Sequence, residues 1–211
     1  MLRNYLLIAW KVLQRRKAFT FISLFGISIT LAVLLILSTL LNNYIYPHGP
    51  EKNNQHFLSI KRVNIYSENG NSNTTSSPGY KFLADNVARL QAPEKMSFFT
   101  SSIDGASYLN GEKVTNKIRK TDAVYWQILD FDYIAGRAFT EEEFTSGQMV
   151  AVITKTTAKE LLTELSFDQN ASFSQAINKY ITVNNQKFMV IGVASDVSIF
   201  ELNAFSDLWV P

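Results

Sequence analysis

Between Ala18 and Leu41 the chain runs for 24 residues without a charged side chain (AFTFISLFGISITLAVLLILSTLL). As a helix rising about 1.5 Å per residue, that run reaches about 36 Å, more than the bilayer hydrocarbon core of about 30 Å. A soluble core helix of this length needs a polar stripe, and none is present. A cleaved signal peptide has an apolar region of about 7–15 residues followed by small residues at the cut. This run is longer and leaves through Ser38-Thr39-Leu40-Leu41-Asn42-Asn43. The expectation is a transmembrane helix over residues 18–41.

The flanks give it a direction. Arg3, Lys11, Arg15, Arg16 and Lys17 precede the run with no acid among them, whereas Asn42 to His56 hold only Glu51 and Lys52. The positive-inside rule then puts residues 1–17 in the cytoplasm and residues 42–211 outside. Tyr44 and Tyr46 suit an outer interfacial belt, and Trp10 a cytoplasmic one. The net charge of +2 therefore conceals an asymmetry. Cations gathered ahead of an apolar run, not on a folded face, exclude a nucleic-acid-binding reading. Leu2, Tyr5, Leu6, Ala9, Trp10 and Leu13 recur on one helical face within residues 1–17. That basic amphipathic helix either orients insertion or docks on the inner headgroups or a cytoplasmic partner. Gly26/Thr30 and Ser28/Ala32 are small-xxx-small pairs where another helix could approach.

Residues 42–211 are enough for one compact domain. FLSIKRVNIY (57–66) reads as a strand, and Ser67 to Gly79 as a flexible loop without an aliphatic residue. Ser77-Pro78 then caps a helix carrying Tyr80, Leu83, Ala84, Val87 and Leu90. A strand at Met96 to Ser102 would complete a β-α-β start. Asn110-Gly111 predicts a tight hairpin between Ser107–Leu109 and Lys113–Arg119. Asp122 is placed to cap a short helix, Thr140 and Glu143 have capping-box spacing, and MVAVI (149–153) reads as a buried strand. Thr154 caps a helix with Ala158, Leu161, Leu162 and Leu165, and Tyr180–Val183 and Lys187–Val193 are strands around Asn184-Asn185. Mixed helices, strands and hairpins make the expected fold class α+β. The apolar end Leu208-Trp209-Val210-Pro211 reads as a strand in mid-fold, so the chain is expected to be a fragment.

Catalytic chemistry is hard to build from these residues. Zero Cys removes disulfides, thiolate metal sites and cysteine nucleophiles. His48, Glu51 and His56 match no ligand spacing and read as solvated loop residues, as do the acids Asp130 and Asp132. Glu141-Glu142-Glu143 is explained by a helix N-terminus, and no phosphate-binding G-x-x-x-x-G-K-[ST] occurs. Gly136 before Arg137 predicts a tight turn whose arginine pairs with nearby acids. Asn73-Thr74-Thr75 and Asn170-Ala171-Ser172 are glycosylation sequons with meaning only in a eukaryotic secretory route. No catalytic, cofactor-binding or metal residue is assigned.

Taken in order, RNYLLIAWKVLQRRKAFTFISLFGISI, YWQILDFDYIAGRAFTEEE, MVAVITKTTAKELL and ITVNNQKFMVIGVASDV resemble the N-terminal half of MacB/FtsX-type ABC transporter permeases. The segment with Gly136-Arg137-Ala138-Phe139 is the most specific, followed by Val150–Ile153 and Val190–Val193; the likeness is weakest from Asn42 to Lys120. Asn178 stands where such permeases usually have glycine. The resemblance implies three parts: a cytoplasmic helix (1–17), a span (18–41) and a MacB-like periplasmic core domain (42–211). It also implies a bacterial inner-membrane permease without enzymatic activity or cofactor, with further spans beyond these residues. Its implied partners are a cytosolic P-loop ATPase, a second permease in a homo- or heterodimer, and a periplasmic adaptor or cargo. Nucleotide-driven closure inside would move the periplasmic part. The alternative is a single-pass anchored binding, sensor or scaffold module. A tethered hydrolase using Asp130 and Asp132 is disfavoured by the scarcity of His.

Overall fold

Helix α1 spans Lys17–Ile45, four residues longer than the expected run at its C-terminal end. Its apolar side chains are exposed on every side, and within Lys17–Asn42 an 18-residue stretch has a mean hydropathy of 2.5, so the helix is long and apolar enough to cross a membrane. The hydroxyls of Thr30 and Thr39 donate to the carbonyls of Gly26 and Leu35, each at 2.9 Å, so they present no unpaired donor to lipid. The computed structural model describes residues 3–5, 10–11, 15–45, 49–67, 73–109, 112–165 and 172–211. Residues 3–5 and 10–11 are helical; Leu2, Leu6, Ala9 and Leu13 of the amphipathic face lie outside the described residues. The chain divides into two units, Met1–Tyr46 and Pro47–Pro211.

The second unit is α+β, as expected. Its main sheet has seven strands: β3 (Ile103–Leu109), β4 (Glu112–Lys120), β5 (Tyr133–Gly136), β6 (Val150–Thr154), β7 (Tyr180–Val183), β8 (Gln186–Ala194) and β9 (Leu208–Val210), in the order β5-β8-β6-β9-β4-β3-β7. β7 pairs with β8 as well as with β3, so the sheet curls back on itself. β6 lies parallel to β8 and β4 parallel to β9; the other pairs are antiparallel. β9 sits between β6 and β4 with all three residues buried.

Two hydrophobic cores use opposite faces of this sheet. In β6, Ala151 and Ile153 join one core and Val150 and Val152 the other, which is why the strand reads as an unbroken apolar run. The first core is covered by helix Lys155–Glu164, through Ala158, Leu161 and Leu162, with Leu165 left exposed. Thr154 caps that helix by accepting from the Thr157 amide. The second core is aromatic: Trp209 packs edge-on to Trp126 and Phe131, with ring centroids 5.9 and 5.2 Å away.

The capping box at Thr140 and Glu143 forms on the short helix Glu141–Thr145, and Asp122 accepts from the Tyr125 amide at 2.9 Å as expected. The Asn184-Asn185 turn has φ of 49° and 66°, the left-handed pair a tight hairpin requires. Asn178 has φ 63°, so asparagine fills a left-handed turn that glycine serves elsewhere. The Asn110-Gly111 turn lies outside the described residues, but the hairpin it joins is present and longer than expected.

Residues 57–100 depart most from expectation. Of the strand expected over 57–66, Val63–Tyr66 (β1) forms, and it pairs with β2 (Asn73–Ser76), inside the segment expected to be a loop. The β-branched Thr74 and Thr75 let β2 pair despite the lack of aliphatics; Thr75 donates to the Asn64 side chain at 2.7 Å. The following helix covers just Tyr80–Asn86, and Gly79 stands at its N-cap without a side-chain bond, so the Ser77 cap does not form. No strand forms at 96–102, where one bridge, Phe99 to Thr121, replaces it, and the β-α-β start is therefore absent.

Candidate functional site

The most elaborate polar construction in the second unit joins its first described residues to the segment before β9. The Glu201 carboxylate, buried, accepts from the amides of Glu51 and Ser198, each at 3.3 Å. Glu51, also buried, returns the interaction: its carboxylate accepts from the amides of Asn203 (2.6 Å) and Ala204 (2.9 Å) and from the Asn203 side-chain amide (2.9 Å). Each acid thus satisfies backbone donors in the other's turn across 150 residues of sequence. Gly49 is required beside them, because a Cβ there would meet both Glu201 carboxylate oxygens at 2.5 Å. Asp130 reinforces the same segment, with its amide donating to the Pro50 carbonyl at 3.1 Å and its carboxylate paired with Lys52.

The carbonyls of that second turn are bound too. Buried Arg119 donates to the carbonyls of Leu202 (3.1 Å), Phe205 (3.0 Å) and Thr100 (2.9 Å), with its guanidinium over the Phe99 ring. The Tyr125 hydroxyl donates to Asn203 O at 2.8 Å, and Trp209 Nε1 to Ala204 O at 3.2 Å. Burial raises the Glu201 carboxyl and the Tyr125 phenol above their ordinary values and lowers Arg119. These side chains spend their polar groups on backbone. Of them, only Arg119 Nε is without a partner among the described residues. The arrangement can hold two segments together; it presents no nucleophile or substrate-binding donor. We call it the clasp.

Apart from Asp130 at the edge of the clasp and Glu51 within it, the sequence-selected residues fall elsewhere. Glu51, expected to be solvated, is buried at the centre of the clasp, because its carboxylate replaces water with three N–H donors. His56 is exposed in the turn Asn54–His56, and His48 lies outside the described residues. Asp130 and Asp132 are exposed as expected. Arg137 makes a bidentate pair with Glu143, both bonds 2.7 Å, and that pairing holds the Glu143 carboxyl down at about 2. Gly136 has the expected positive φ, +70°, but it ends β5 and no hydrogen-bonded turn follows among the described residues; a Cβ there would strike the Ile191 carbonyl, so the glycine serves close approach to β8. Among the described residues no group of three His, Cys, Asp or Glu could hold a metal ion. Arg119, Tyr125 and Glu201 were not singled out by sequence; an arginine at the end of a strand pattern and a glutamate in an otherwise apolar run (SIFELNAF) were the available signals.

The family model for the MacB-like periplasmic core domain matches residues 20–211. The chain belongs to that family. The match begins inside α1 and takes in both halves of the clasp. Among solved structures, the periplasmic region of MacB from Actinobacillus actinomycetemcomitans is similar over 61% of this chain and 52% of that one, at 21% identity and a TM-score of 0.44. The extracellular domain of the noncanonic ABC-type transporter YknZ from Gram-positive bacteria is similar over 64% of this chain and 68% of that one, at 19% identity and a TM-score of 0.45. A domain of a putative permease from Porphyromonas gingivalis gives 59% and 54%, at 13% identity and a TM-score of 0.41. The chain spans about half the length of the first and third of these structures. No curated protein matches the sequence. A MacB-like periplasmic core domain with one apolar helix ahead of it is therefore the description that this chain carries.

Proposed function

We propose that this chain is part of the membrane subunit of a MacB/FtsX-type ABC transporter, passing motion driven by cytosolic ATP hydrolysis to a domain outside the membrane. In this reading residues 1–17 lie in the cytoplasm, residues 18–41 cross the bacterial inner membrane, and residues 42–211 form the periplasmic core domain. The partners are a cytosolic P-loop ATPase, a second permease in a homo- or heterodimer, and a periplasmic adaptor or cargo. The role is mechanical, with no catalytic or cofactor-binding residue in the chain.

The observation that carries the reading is the family match across α1 and the whole second unit. The cation asymmetry supports the orientation. The clasp supports the relay, since a pull on the chain just past α1 meets a hydrogen-bonded joint and not a loose linker. The test is purification of the chain from its native membrane in mild detergent. A copurifying P-loop ATPase, whose turnover in nanodiscs changes when Glu201→Ala loosens the joint, is the expected result. Recovery without any ATPase would overturn the permease reading and favour the anchored sensor or scaffold.

A further inference from the structure

Leu58 is 92% exposed in a folded unit, and it does not stand alone. The hydrogen bond from Ser59 Oγ to Asn203 Oδ1, at 3.2 Å, sets residues 57–60 beside residues 199–203. In these two adjoining segments Leu58, Ile199 (63%), Leu202 (62%), Ile60 (44%) and Phe200 (39%) are all open to solvent. Phe57 turns the other way and packs against the aromatic core, so the strip is anchored from behind. Lys61 and Arg62 continue it, both exposed. Within residues 57–62 and 198–203 the only acid is Glu201, which the clasp buries. An exposed apolar patch bordered by cations and free of exposed acid is the composition of a surface that enters a lipid headgroup layer.

Position in the chain selects the same occupant. Three residues separate Ile45, the last of α1, from Gly49, and the four Cα steps between them reach at most about 14 Å when extended. Gly49 and Glu51 are fixed to Glu201, which lies between Phe200 and Leu202 in the patch. Given that α1 crosses the bilayer, a linker of three residues is all that joins this unit to a membrane segment, so lipid is the partner that the covalent chain supplies.

We propose that Leu58, Ile60, Ile199, Phe200 and Leu202, with Lys61 and Arg62, dock on the outer leaflet of the membrane that α1 spans. The clasp holds this surface in place, so the periplasmic unit meets the membrane through a second, non-covalent contact. The inference rests on the reading that α1 is a membrane span and is otherwise independent of any transporter activity. Motion of the unit relative to the bilayer would require this contact to detach.

The absence of cysteine makes the test direct. Leu58→Cys, Ile199→Cys and, as a reference within α1, Leu31→Cys carry an environment-sensitive fluorophore in the whole 211-residue chain, reconstituted in vesicles of phosphatidylethanolamine and phosphatidylglycerol. Docking predicts that the labels at 58 and 199 are quenched by headgroup-linked nitroxide lipid and shielded from aqueous iodide, at every protein-to-lipid ratio. Lys61→Gln with Arg62→Gln should lower the docked-to-free ratio about 30-fold in these anionic vesicles. Labels at 58 and 199 that stay open to iodide while the label at 31 is lipid-quenched would overturn the docking and leave the span intact. Shielding that appears only at high protein density would overturn it in favour of a second copy of the chain. A label at 31 that escapes lipid quenching would defeat the span and the docking together.

Discussion

Helix α1 and strand β6 are both unbroken apolar stretches, and they dispose of their side chains in opposite ways. Large residues of α1 from Phe19 to Leu41 are 42–71% exposed, whereas those of β6 are at most 3% exposed. Hydropathy alone does not separate them. Length does, because five extended residues can be enclosed by two cores, while a helix of 29 residues needs an apolar solvent along its entire surface. In β6 that enclosure is protein, and α1 is long and apolar enough for it to be lipid.

The comparison can be broken from the protein side first. Trp209→Ala removes the ring on which Trp126 and Phe131 pack and should destabilise the second unit by about 3–5 kcal/mol, read as a lower melting temperature in detergent. Membrane insertion of α1 should not change. From the lipid side, Leu31→Arg puts a charge at the middle of α1 and should disfavour insertion by about 2.5–3.5 kcal/mol, measured by alkaline extraction of membranes. The melt of the second unit should stay where it was. If that substitution instead lowered the melt and left insertion intact, α1 would be packed in protein like β6.

Smaller effects sharpen the picture at the joint. Glu51→Ala leaves the amides of Asn203 and Ala204 buried without acceptors and should cost about 1–3 kcal/mol. Hydrogen exchange should rise at 203–204 more than in β6. The smallest effect is a pH dependence. Glu143 titrates at about 2, below its unfolded value of 4.5, so its contribution is complete above pH 4.5 and is lost as pH falls towards 2. Arg137 is open to water while the Glu143 side chain is 13% exposed, and solvent around the guanidinium should hold the loss to about 1 kcal/mol. Arg137→Ala should flatten that part of the stability profile.

How much of this was legible depended on where the information resides. α1, β6 and the two capped helices after Thr140 and Thr154 were readable because their signals are local: an apolar run, or a threonine that accepts from an amide three residues on. The strand at 73–76 was not, since its asparagine disfavours strands, no aliphatic residue marks a buried face, and pairing with Val63–Tyr66 decided the outcome. The clasp was invisible for a stronger reason. Glu51 among Gly, Pro, Lys and Asn has the look of a solvated loop, and only its partner 150 residues away, brought close by β9 entering the sheet, takes it out of water. Asp122 and Glu143 could be read as caps; Glu51 and Glu201 do the same work non-locally.

Thiol accessibility in cells tests the central claim most directly, because the chain has no cysteine of its own. Glu142→Cys and Lys11→Cys, both at exposed positions, are treated with a membrane-impermeant maleimide before and after lysis. A membrane-anchored periplasmic domain predicts that position 142 reacts in intact spheroplasts and position 11 reacts only once the membrane is broken. Labelling of position 11 in intact cells, with position 142 protected until lysis, would contradict it.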